Sequence, residues 1–219
     1  MNRKMYNQDG RSMIEMLGVL AIVGVLSVAG ISGYSKAMHE YRISKVIADY
    51  TSILNSVLTL SSSMNKIAPD AAKGKRFNLA EIVEQAGWIP VNWLHQGNAL
   101  YDGYFHRQVN LEYRGKSGGG FIFLIYITEK SENKTESKTE DIRFCQRIIS
   151  DFVMQYYDLL RVVTMYEPGG SGSTHLGYGK DYCGGENICL ISRTPDEILE
   201  FCKSCTNNKN YCRLGIAIP

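Results

Sequence analysis

The chain has 219 residues, with 24 Lys and Arg against 22 Asp and Glu, a formal net charge of +2, 44% hydrophobic residues and six cysteines. That length suits one globular domain with a packed core plus an accessory segment. No stretch gathers Lys and Arg into a basic face, so nothing argues for nucleic acid as a partner, and no internal repeat is visible.

Arg3, Lys4 and Arg11 come first, followed by an apolar run that reaches Ile31 and carries no charge after Glu15. Counted from Met13, the run approaches the ~20 residues needed to cross a bilayer. The basic residues before it predict a cytoplasmic N-terminus and an exported remainder. Glu15 is the most informative residue: a charge at the centre of a membrane helix costs about 2.5–3.5 kcal/mol, and such residues are functional suspects. Near the end of the span the cost is smaller, yet the carboxylate still needs a partner.

The stretch Gly10-Arg11-Ser12-Met13-Ile14-Glu15 and the apolar residues after it resemble the class III signal of type IV pilins and of the pseudopilins of type II secretion systems. The resemblance implies that a prepilin peptidase cuts after Gly10 and that Arg11 becomes the new, methylated N-terminus. Glu15 then occupies the fifth mature position, where it would neutralise the terminal ammonium of a neighbouring subunit. It also implies an inner-membrane protein that assembles with other pilin or pseudopilin subunits into an extracellular pilus or a periplasmic pseudopilus. The sequence departs from the family pattern in carrying Arg11 after the cut and in lacking the usual helix proline, with Ser32 near its place. Two other readings of the segment stand beside it: a secretory signal cut by signal peptidase near Ala29, freeing a disulfide-rich binding domain, and an unprocessed anchor.

Past the membrane segment, Ile43, Val46, Ile47, Tyr50, Ile53, Leu54, Val57 and Leu58 recur at steps of three and four, one face of an amphipathic helix. With no proline before Pro69, one continuous helix from about residue 11 to 64 is expected, roughly 80 Å at 1.5 Å per residue. The implied organisation is a leader (1–10), a transmembrane or filament-core helix (11–34), its amphipathic half (35–66) and an exported globular domain (67–219). A short helix is predicted over 79–86, capped by Asn78 and stopped by Gly87 and Pro90. Trp88 and Trp93 should pack the following loop. Phe105, Val109, Leu111 and Tyr113 alternate as in a half-buried strand. The glycines of 115–120 turn the chain into 121–128, an unbroken apolar run suited to a central strand. The polar stretch 129–141 is expected as a surface loop, with a weak glycosylation sequon at Asn133. Helical spacing returns over 142–163, and 168–185 is expected as an exposed glycine-rich loop. Together with the resemblance, this gives an α+β, pilin-like fold: a long N-terminal helix on an antiparallel sheet, with a disulfide-rich C-terminal region.

Cys145, Cys183, Cys189, Cys202, Cys205 and Cys212 all fall in the part expected to be exported, where an even count favours disulfides. A local Cys183–Cys189 closure and a link from Cys145 to the C-terminal cluster are the expected features; the full pairing is left open among fifteen connectivities. A redox site at Cys202-Lys203-Ser204-Cys205 would make the chain a membrane-anchored thiol–disulfide oxidoreductase. However, Thr194 and Glu197 are spaced as a capping box, which puts the pair near a helix C-terminus, where thiolate is disfavoured. Zinc at these cysteines fits an oxidising destination poorly. His95, His106 and His175 form no catalytic pattern, and neither Gly-x-Ser-x-Gly nor His-Glu-x-x-His occurs. The expectation is a structural subunit with no catalytic residues, cofactor or metal.

Overall fold

The computed structural model describes residues 13–73, 75–115, 118–128, 138–166, 173–206 and 212–219. The chain divides into two compact units, one ending at Arg42 and the other spanning Ile43–Pro219. Helix α1 (Met13–Leu58) runs through the boundary without a break, Gly30 and Gly33 included. It stops at Leu58, short of the expected end near Met64, where the chain enters the run Ser61-Ser62-Ser63, residues of lower helix propensity than the apolar stripe before them. There, bonds of the i→i+3 type tighten the chain (Leu60 N–H to Val57 O, 3.0 Å) ahead of the short α2 (Met64–Ile67).

Ile43–Pro219 is an α+β unit. Among its described residues are eight strands: β1 (Phe77–Asn78), β2 (Leu94–Gln96), β3 (Ala99–Tyr101), β4 (Gln108–Tyr113), β5 (Phe121–Thr128), β6 (Val162–Tyr166), β7 (Ser173–Tyr178) and β8 (Cys212–Ile218). They form one antiparallel sheet in the order β2-β3-β4-β5-β8-β6-β7, with β1 also pairing β4. The expected hairpin is β4–β5, in register from Val109 opposite Ile125 to Tyr113 opposite Phe121. Its turn ends on Gly120, where φ is +70° and a Cβ would come within 2.2 Å of the Ile218 carbonyl oxygen, so only glycine fits.

The predicted stripe of α1 is the core. Ile43, Val46, Ile47, Tyr50, Ile53, Leu54 and Val57 are all buried together with Phe121, Phe123, Ile125 and Ile127 of β5 and Leu214, Ile216 and Ile218 of β8. Tyr50 sits at the centre, its ring 5.5 Å from both Trp93 and Phe123 and 5.8 Å from Phe152. On the other sheet face Ile122, Leu124 and Ala217 form a second, smaller cluster. Strand β5 is thus apolar on both faces, which is why its sequence does not alternate.

Four sequence expectations need correction. The strand containing Phe105 begins only at Gln108: Asp102 accepts the N–H groups of Tyr104, Phe105 and Arg107, and that carboxylate-capped turn keeps Phe105 out of the ladder. The helix expected over 142–163 starts earlier, as α4 (Lys138–Arg147), so 138–141 is helix rather than loop. It then widens into a π-turn (Ile148–Phe152) and tightens into a 3₁₀ turn (Val153–Tyr156). The change of pitch keeps Ile149, Phe152, Val153, Tyr156 and Leu160 buried while releasing Val162 and Val163 into β6, where β-branched residues fit. Within the glycine-rich 168–185, Ser173–Tyr178 is strand β7, fixed by burial of Leu176. The sequon at Asn133, and 168–172, lie outside the described residues.

The short helix α3 (Ala80–Gln85) starts one residue later than expected, with Leu79 rather than Asn78 at its N-cap, although Asn78 Oδ1 still accepts the Ala80 N–H at 2.8 Å. Trp93 is buried and donates its indole N–H to Asp49 Oδ2 at 2.9 Å, a packing role with one polar tether. Helix α5 (Pro195–Thr206) opens on the expected capping box, with Thr194 N–H bonded to Glu197 Oε2 (2.8 Å) and Glu197 N–H to Thr194 Oγ1 (3.3 Å).

Candidate functional site: an exposed apolar helix and its lone carboxylate

Within the first unit, the described part of α1 carries no charge between Glu15 and Lys36. Its large apolar side chains are exposed: Leu20, Val25, Val28 and Ile31 are each at least 65% accessible. A contiguous apolar surface of this extent marks a membrane or protein contact. Among the described residues this is the one helix long and apolar enough to cross a membrane. Ser27 adds no polar face, because its hydroxyl is spent on the Val23 carbonyl at 2.7 Å. Glu15 sits in the first turn of α1, where a carboxylate favours the helix dipole. Gly10 and Arg11 lie outside the described residues.

The six cysteines form three disulfides: Cys145–Cys202, Cys183–Cys189 and Cys205–Cys212. The first joins α4 to α5, the second closes the loop after β7, and the third ties the end of α5 to β8. Cys202 and Cys205 both lie late in α5, fully buried, and each is bonded to a different partner rather than to the other. Among the described residues no group of three or more Cys, His, Asp or Glu side chains is placed to hold a metal ion.

Between β7 and α5 lies a groove of about 480 Å³, with Leu176 and Phe201 at its floor and His175, Arg193, Asp196 and Glu200 on its walls. Its polar groups are largely engaged. Arg193 donates to the Leu176 carbonyl (2.6 Å) and to Glu197 (2.9 Å), Glu200 takes Lys203 (2.6 Å), and His175 Nδ1 meets Thr164 Oγ1 (2.9 Å). Ser204 donates to the Phe201 carbonyl rather than to a base in this groove.

One polar feature escaped the sequence reading. Arg107 and Asp141 form a buried ion pair at 2.9 Å with side chains 4% and 2% exposed, and the guanidinium also donates to the Ile127 carbonyl and stacks on Phe144 at 4.3 Å. A signal existed: Asp141 falls on the same helical stripe as Phe144, Cys145 and Ile148, where a carboxylate requires a partner.

No family model, curated protein or solved structure matches this chain.

Proposed function

We propose that this chain is a structural subunit of a type IV pilus or type II secretion pseudopilus. It would be cut after Gly10 by a prepilin peptidase, held in the inner membrane with its N-terminus cytoplasmic, and assembled through α1. One observation supports the reading above others: a single helix whose early residues are uncharged, exposed and opened by Glu15, and whose later residues supply the core of a disulfide-bonded α+β unit.

Acyl chains would cover the exposed apolar surface before assembly, and the equivalent helices of neighbouring subunits afterwards. Glu15 would then set the axial offset between subunits, since an unpaired carboxylate in an apolar bundle penalises every register that leaves it without a cation. The exported unit carries no chemistry in this scheme; its surface meets other subunits.

Intact mass and N-terminal peptide mapping of protein recovered from membranes tests the reading. A chain starting at Arg11, with or without an added methyl group, is expected. A start near Gly30 would replace it with a secreted domain, and an intact Met1 with a plain anchor. Glu15→Ala should insert and be cleaved yet assemble poorly; filaments at the parental level would refute the register role.

A further inference from the structure

His95, the central residue of β2, has an acceptor against each ring nitrogen: Nδ1 lies 2.6 Å from Glu84 Oε2 and Nε2 lies 2.7 Å from the Gly97 carbonyl oxygen. Neither a carboxylate nor a carbonyl donates, so both nitrogens bring a proton and the ring is an imidazolium. Glu84 belongs to α3 and Gly97 to the β2–β3 turn. The next carbonyl in that turn, Asn98 O, accepts from Asn78 Nδ2 at 2.7 Å, a second tie that carries no titratable group.

The cation therefore closes the base of the segment 86–94, which leaves α3 and returns as β2. The tip of this segment is apolar and open to solvent: Val91 is fully exposed and Leu94 is 49% exposed, while Trp93 is buried beneath them. The His95 ring is itself only 14% exposed. The charged groups facing it are Glu84 and Glu81, both acidic and both on α3; its cross-strand neighbour on β3 is the uncharged Leu100.

We propose that His95 is a pH-operated clasp that, when protonated, ties β2 and its turn to α3 and, when deprotonated, loosens the base of the 86–94 loop, which the buried Trp93 and its Asp49 bond still anchor to the core. Removing one proton leaves a ring lone pair facing either the Glu84 carboxylate or the Gly97 carbonyl, and that contact becomes repulsive. The Glu84 bond is the main reason the His95 pKa is raised above its ordinary 6.5. A group whose folded-state pKa is raised stabilises fully below its unfolded value and loses that effect as pH rises through the folded one. The clasp is thus shut in acid and opens on the alkaline side of the ordinary histidine range.

Hydrogen exchange read by mass spectrometry on the whole chain in detergent micelles, from pH 5 to 9 and corrected for intrinsic rates, tests this. Peptides covering 86–97 should lose protection by about three- to tenfold across one titration, while β5 peptides stay unchanged. Glu84→Gln should move the midpoint to lower pH, and His95→Gln should give a flat profile at the open level with β5 still protected. A flat profile in the parent protein, or a midpoint unmoved by Glu84→Gln, would overturn the proposal. The comparison of parent with Glu84→Gln decides the matter even if the His95 variant fails to fold.

Discussion

The three disulfides close loops of very different size, so their removal should rank in a fixed order. Cys145–Cys202 spans a sequence separation of 57, Cys183–Cys189 one of 6 and Cys205–Cys212 one of 7. In the chain-entropy treatment the unfolded state loses about 2.1 + 1.5R ln n cal/mol/K per closed loop. That amounts to about 4 kcal/mol at 25 °C for the long loop and about 2 kcal/mol for each short one. Burial widens the gap only against Cys183–Cys189, because Cys145, Cys202, Cys205 and Cys212 are all enclosed and their loss also leaves unfilled space. Paired Cys→Ala replacements, unfolded by urea in a nonionic detergent and followed by tryptophan fluorescence, give the comparison; Trp93 in the core reports directly. Equal losses for the long and a short loop, or a reversed order, would show that loop closure does not govern how these bonds act.

Tyr50 is fully buried and its hydroxyl has no hydrogen-bond partner among the described residues, while burial pushes its pKa well above 10. Tyr50→Phe keeps the ring contacts and should raise stability by about 1–2 kcal/mol; a loss of similar size would mean the hydroxyl is satisfied. Arg107→Met leaves Asp141 charged and enclosed and should cost about 3–5 kcal/mol, much of it recovered in Arg107→Met/Asp141→Leu. A double-mutant cycle in urea with no recovery would contradict this. Burial holds the Asp49 pKa above its usual 3.8 despite the Trp93 bond, so its ionised form works against folding as pH rises through the folded value. Asp49→Asn stays neutral, and its advantage over the parent should grow between pH 3 and 7; a pH-independent difference between their urea midpoints would refute the assignment.

Patterns that repeat along the chain carried the parts of the fold that could be read from sequence. The α1 stripe from Ile43 to Val57, the two-faced run of β5 and the Thr194–Glu197 box each encode their structure within one element. What stayed hidden depends on partners far away in sequence. Val162 and Val163 continue a helical spacing and become strand only because β8 and β7 offer backbone on both sides. Strand β8 itself gives no separate signal, and β2 and β3, joined by the turn at Gly97-Asn98, are only three residues each, too short to show an alternating pattern. The Arg107–Asp141 pair joins residues 34 positions apart, a distance over which no local pattern links a guanidinium to a carboxylate. Glu15 is the opposite case: its place at the mouth of a long uncharged helix is visible in the sequence alone.

The position of β8 has a consequence for the order in which the sheet can form. Residues 212–218 lie between β5 and β6, so among the described residues β6 and β7 pair with β2–β5 only through that strand. A chain emerging across a membrane from its N-terminal side would hold two incomplete half-sheets with bare edges, each a template for pairing with the wrong chain. In such a chain the Cys205–Cys212 bond could form only after residue 212 has emerged, and it would lock β8 in place once that strand is seated. Completion of the sheet and closure of that pair thus both depend on the same short segment, so for a chain exported in that direction the bare edges would persist until residues 212–218 are free to pair.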